Sequence, residues 1–128
     1  MSVTYTEFPE RKRVELTVSG HLSKADYDEV IAPLQAFIDA HGTIQIVEVV
    51  ESFEGFDPSV LLPGFKFDIE NIQHVSHAAI VSDIGWISPI AQAASRLLPT
   101  QIRTFALDER DAAHDWLDGV TVQAPADG

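Results

Sequence analysis

The sequence contains no cysteine, which excludes a thiolate nucleophile, a disulfide framework, an iron–sulfur cluster and a thiolate zinc site. Basic side chains are also scarce. Eight Lys and Arg stand against twenty Asp and Glu, a formal charge of −12. Nucleic-acid binding rests on basic groups that neutralise phosphates, so an acidic body makes DNA or RNA a poor partner. No apolar run is long enough to span a membrane, and Met1 to Pro9 is polar and mixed, unlike a signal peptide. A cytoplasmic location is therefore expected. Glycine-rich phosphate loops and the Gly-x-Ser-x-Gly elbow of hydrolases are missing. The five histidines include no helical His-x-x-x-His pair, so neither a zinc site nor another cofactor is expected.

What is present is a globular balance, 45% hydrophobic and 22% charged, in 128 residues. That length suits one domain, and a domain of this size buries roughly two thirds of its unfolded surface without needing a covalent staple. The one basic run, Arg11-Lys12-Arg13, is diluted by Glu10 and Glu15 and reads as a solvated edge strand.

Periodicity supplies the elements. Val3 to Phe8 alternates loosely, as an edge strand would. Val14, Leu16 and Val18 alternate with Glu15 and Thr17, the pattern of a half-buried strand, which Gly20 ends. Ser23 is placed as a helix N-cap, with Asp26 completing a capping box. The helix that follows carries Tyr27, Val30, Ile31, Leu34, Ile38 and His41 on one stripe; Pro33 should bend it and Gly42 stops it. Ile44 to Val50 is β-branched almost throughout and suits a central strand covered on both faces. Asp57-Pro58 opens a second helix, broken at Pro63-Gly64 and resumed from Phe65 to about His74. His77 to Val81 is a third core strand, followed by a helix from about Trp86 or Ser88 to Leu98. Ile102 to Leu107 is the last core strand. Asp108 is expected to cap a final helix with Ala112, Ala113, Trp116 and Leu117 inward and His114 on its polar side. Strands alternating with helices at this spacing describe an α/β domain with a mostly parallel sheet.

Several short stretches mark these elements in order. They are Gly20-His21-Leu22-Ser23 with Asp26-Tyr27, Ala40-His41-Gly42, Phe53-Glu54-Gly55-Phe56 and Phe65-Lys66-Phe67-Asp68. Asp83 with Trp86, Arg103-Thr104-Phe105 and Ala113-His114-Asp115-Trp116-Leu117 follow. Over about residues 12 to 118 the ordered set resembles the SpoIIAA-like family. The resemblance implies a five-stranded, mostly parallel sheet covered by about four helices, related to the STAS and CRAL-TRIO folds. Residues 1–118 would form the domain and 119–128 a flexible tail. It implies no enzymatic activity. Phosphorylatable STAS domains carry an Asp-Ser-Ser-Gly type turn; here the turn reads Asp57-Pro58-Ser59-Val60, which favours Asp57 as a plain N-cap and Ser59 as a first-turn residue.

Two groups of residues are candidates for a site. Glu48, Glu51, Asp83 and Asp108 fall at strand ends and form a possible acidic rim, read as solvated. Within it Glu48 shares a strand face with apolar neighbours and needs a partner, for which Arg103 is the candidate. The second group is apolar. Leu61, Leu62, Phe65 and Phe67 flank the Pro63-Gly64 break like a short helical lid, and Phe53, Phe56 and Trp86 can line what it covers. The resulting expectation is a non-enzymatic module for a small apolar, lipid-like ligand or a membrane surface. The alternative is a STAS-like regulatory protein acting through protein contacts, with a protein partner or homodimer, and an enzyme using the acidic strand ends is a third class.

Overall fold

The computed structural model describes residues 2–56 and 74–120. Among these residues are seven strands, β1 (Ser2–Phe8), β2 (Arg13–Ser19), β3 (His21–Leu22), β4 (Ile44–Val50), β5 (Gly55–Phe56), β6 (Val75–Val81) and β7 (Gln101–Phe105). Three helices are described, α1 (Lys24–His41), α2 (Ile87–Ser95) and α3 (Arg110–Asp118). Five strands form one sheet in the order β1-β2-β4-β6-β7, and β3 pairs with β5 as a separate two-stranded ladder. β1 runs antiparallel to β2, while the β2–β4, β4–β6 and β6–β7 pairings are parallel. The sheet is therefore mixed, a correction to the mostly parallel sheet expected. Its cause is local. Pro9 starts a short 3-10 turn, and Lys12, at φ 52°, reverses the chain so that β1 returns beside β2. The second of the four expected helices, with Asp57, Ser59 and the Pro63-Gly64 break, lies outside the described residues, as does the tail beyond residue 120.

Crossover handedness distributes the helices. The parallel strands β2, β4, β6 and β7 succeed one another in a single direction. Right-handed crossovers then put α1, between β2 and β4, and α2, between β6 and β7, on one face. On that face α1 lays Leu34, Phe37 and Ile38 against Val14, Ile44 and Val75. Helix α3 follows the last strand, free of any crossover, and covers the opposite face with Ala113 and Leu117 against Val47, Val49, Ala79 and Val81. Each such buried Leu, Ile or Phe stabilises the fold by roughly 1.5–3 kcal/mol.

The ends of α1 follow the sequence closely. Asp26 donates its N–H to Ser23 Oγ at 3.1 Å, and Asp26 Oδ2 accepts from the Ser23 N–H at 3.3 Å. Gly42, at φ 82°, donates to the Ile38 carbonyl at 2.7 Å and ends the helix. Pro33 leaves α1 a single 18-residue element. The last helix departs from expectation. Asp108 lies exposed in a 3-10 turn over Leu107–Glu109, and it is Glu109 Oε1 that accepts the Ala106 N–H, at 2.8 Å. Ala112 is exposed, not inward.

Candidate functional site

A crevice opens where the carboxyl ends of β2, β4 and β6 meet α2. Strand alternation brings Val18, Glu48, Val50 and Ile80 to one face of the sheet, and Phe53, Trp86 and Ile87 close over them. Its volume is about 250 Å³. Hydrogen bonds through serine hydroxyls and the backbone hold both aromatic loops. Gly20 donates to Ser52 Oγ at 2.9 Å and Glu54 donates to the Gly20 carbonyl at 2.9 Å, which pins the loop bearing Phe53 to the end of β2. Ser82 Oγ donates to the Val50 carbonyl at 2.8 Å and accepts the Ile84 N–H at 3.2 Å, which fixes the turn bearing Trp86. The two rings then meet edge to face at 6.1 Å between centroids. Trp86 remains 53% exposed, an unusual state for so large an apolar surface.

Ile80 and Ile87 are shared walls with a second, more polar compartment of about 230 Å³. Ser82, Ser88, Thr104 and Glu109 line it. The Ser88 and Thr104 hydroxyls lie 3.2 Å apart, within hydrogen-bonding distance.

A different constellation sits under α3. Arg13 is only 1% exposed. Its Nε donates to Gln45 Oε1 at 3.0 Å, and its NH2 donates to Asp118 Oδ1 at 2.7 Å. Its NH1 lies 3.0 Å from His114 Nδ1. A guanidinium can only donate, so Nδ1 is the accepting nitrogen and Nε2 carries the proton that it donates to Glu15 Oε1 at 2.6 Å. Arg110 closes the cluster with a bidentate contact to Glu15. Burial pushes the Glu15 carboxyl up, yet the hydrogen bonds from Arg110 and His114, with the Arg110 charge, outweigh it and hold the group below its usual range. The Arg13 hydrogen bond likewise holds the Asp118 carboxyl down. A carboxylate–histidine pair invites comparison with a catalytic dyad. Here, however, the second imidazole nitrogen faces a guanidinium where a triad would place its hydroxyl nucleophile, so the cluster works as a clamp between β2 and α3.

The family model for SpoIIAA-like proteins matches residues 13–118. The chain belongs to the SpoIIAA-like family. Among solved structures it is similar to a crystal structure of an uncharacterized protein from the DUF3478 family with a SpoIIAA-like fold, from Shewanella loihica PV-4. The TM-score is 0.72 at 17% identity, over 91% of this chain and 92% of that one. At that identity the likeness is one of fold. No curated protein matches the sequence.

Against the SpoIIAA-like frame, the candidate residues separate into four groups. Phe53, Trp86 and Glu48 converge on the crevice. Phe56 belongs to β5, where it pairs in register with Leu22 of β3. Leu61, Leu62, Phe65 and Phe67 lie outside the described residues. Arg103 does not reach Glu48. It pairs in register with Ala79, in the row of Val47, while Glu48 lies in the row of Ile80, so the two project from opposite faces. The Arg103 guanidinium rests instead over the Phe105 ring, 5.0 Å from its centroid, and over Trp116 at 6.0 Å.

The acidic strand ends do not act together either. Asp83 Oδ1 accepts the Leu107 N–H at 3.0 Å, and Glu51 and Asp108 are exposed. Among the described residues no three His, Asp or Glu side chains come together to hold a metal ion. The basic run is also divided, because Arg13 is buried in the clamp while Arg11 stays half exposed, 3.6 Å from Asp118. His114 is drawn inward with it, away from the polar side expected.

The sequence reading missed Val18, Val50, Ile80 and Ile87 as crevice walls. The signal was available: each sits at or near a strand's carboxyl end, or at the start of the helix that follows. That is where open α/β sheets bind ligands, although here no reversal of strand order marks the place.

Proposed function

We propose that this protein is a non-enzymatic binding module whose crevice between Phe53, Trp86 and the ends of β2, β4 and β6 takes a small apolar molecule. The observation that carries this reading is an apolar recess already shaped by pinned loops, with a half-exposed tryptophan at its mouth. Its size narrows the occupant. A cavity of about 150 Å³ accepts benzene, so about 250 Å³ suits one ring with a short substituent or the end of a chain. A whole long-chain fatty acid is too large for it. The lipid-like ligand suggested by the sequence thus becomes a smaller molecule. A second reading, a STAS-like regulatory protein acting through protein contacts, is favoured by the exposure of Leu97 (86%) and Leu98 (37%) just beyond α2.

Trp86 is a built-in reporter once Trp116, partly buried on α3 against His77 and Phe105, is replaced by phenylalanine. In a Trp116→Phe background, toluene should shift Trp86 emission saturably. In the otherwise wild-type chain, Trp86→Ala should change stability by under about 1 kcal/mol, because its side chain is half exposed already. Toluene binding to that variant, followed by calorimetry, should be several-fold weaker. Absence of any saturable response would overturn the crevice reading and leave protein contacts as the function.

A further inference from the structure

We propose that the ligand of this crevice is a small amphipathic amine, its ring or short chain against Phe53 and Trp86 and its ammonium group directed to Glu48. The proposal rests on the reading that the crevice binds a small apolar molecule, and it adds the chemistry of the head group. Three observations support it. Glu48 is the one ionisable side chain among the described residues of the apolar wall, and Glu109 is its counterpart in the adjoining compartment. Both are acids. A carboxylate offers about four acceptor sites, so an ammonium adds to whatever bonds Glu48 already makes. Beyond Ile80 and Ile87 the Ser88 and Thr104 hydroxyls supply further acceptors for a polar head.

The opposing influence is the amino end of α2, which begins at Ile87 in the crevice wall and favours anions. A helix terminus carries only about half an elementary charge, and two acidic side chains line the adjoining compartments against it. The wider field points the same way, since a chain of formal charge −12 attracts cations and repels anions on approach. Cation selection wins on these magnitudes.

Benzylamine, benzyl alcohol and benzoate share one ring and differ in the head group, so titrating the wild-type protein with each at pH 7 and low salt isolates the charge. Benzylamine should bind at least about tenfold more tightly than benzoate, a difference of about 1.4 kcal/mol, with the alcohol between them. Glu48→Gln should remove most of the advantage of the amine and leave benzyl alcohol within about twofold of wild type. Benzoate binding as tightly as benzylamine, or a preference for the amine that survives Glu48→Gln, would overturn the proposal. Benzyl alcohol and toluene still binding in that case would keep the crevice reading intact. Failure of all three ring compounds and of toluene would remove both.

Discussion

Replacing Glu15 with glutamine keeps the shape of the side chain on β2 and removes its charge from the clamp. The native carboxylate is 6% exposed and receives hydrogen bonds from His114, 19% exposed, and Arg110, 53% exposed. A glutamine can still accept from His114, but its amide nitrogen then faces the donors of Arg110. Removing one partner of a fully buried ion pair costs roughly 3–5 kcal/mol. Arg110 escapes much of that penalty by turning to water, which leaves mainly the loss of charged hydrogen bonds at Glu15. The expected cost of Glu15→Gln is therefore about 2 kcal/mol. In a chain of this size that lowers the melting temperature by about 6–10 °C. Arg110→Ala should cost about 1–2 kcal/mol, because it leaves the buried Glu15 carboxylate with His114 as its remaining clamp partner. The pH dependence has a fixed sign. Because folding lowers the pKa of Glu15 from 4.5, its contribution is present above pH 4.5 and is lost as the pH falls through the folded value. Urea titrations at steps between pH 7 and pH 3.5 should show the gap between wild type and Glu15→Gln constant at first, then closing. A Glu15→Gln variant as stable as wild type, or a gap that ignores acid, would refute the clamp.

Ser23→Ala removes the hydroxyl that accepts the Asp26 N–H and should lower stability by about 1 kcal/mol, read from the urea midpoint at an unchanged slope. His77 is buried beside Trp116, and burial pushes its pKa below the ordinary 6.5. Its stabilising contribution is therefore present above pH 6.5 and lost as the pH falls through the lower folded value. Imidazole resonances followed by NMR, with His77→Gln for assignment, should show a midpoint below 6.5, and one at or above it would contradict the burial.

Much of the fold was legible because local chemistry and tertiary contacts agree. Ile44–Val50 reads as a central strand and is one; Ser23 with Asp26 and Gly42 bound a helix and do so. What escaped was polar. Alternation along β2 assigned Val14, Leu16 and Val18 inward and so turned Glu15 and Thr17 to water, because a one-faced strand was assumed. With α3 on the second face, Arg13 and Glu15 are buried as well. Nothing local announces that, since the partners His114 and Asp118 lie about a hundred residues away in sequence and meet β2 only after the last strand is in place. Arg103 was misassigned for a related reason. Its face depends on the register of β7 against β6, which its own strand cannot disclose. At the crevice the aromatic half was readable from loop composition, whereas the aliphatic half looked like ordinary core.

The two faces of the sheet solve different covering problems, and this explains why the crevice lies where it does. Five strands about 4.8 Å apart span about 19 Å, while one helix with its side chains is about 10–12 Å across. Alone on its face among the described helices, α3 leaves flanks on both sides. On the β2 flank Arg13 and Arg110 lie along the sheet and are neutralised by Glu15 and Asp118; on the β7 flank Arg103 lies over Phe105 and Trp116. Long cationic side chains suit this use, because their stems cover apolar surface while their heads find partners at the rim. The opposite face has α1 over the amino ends of the strands and α2 beside β7, and at the carboxyl ends of β2, β4 and β6 the described cover is two aromatic rings on loops. Opening a recess under α3 would separate charges that are already desolvated and paired. Occupying the recess beneath Phe53 and Trp86 requires no ion pair of the clamp to break. Ligand binding there should consequently be insensitive to Glu15→Gln, even as that substitution lowers the stability of the whole domain.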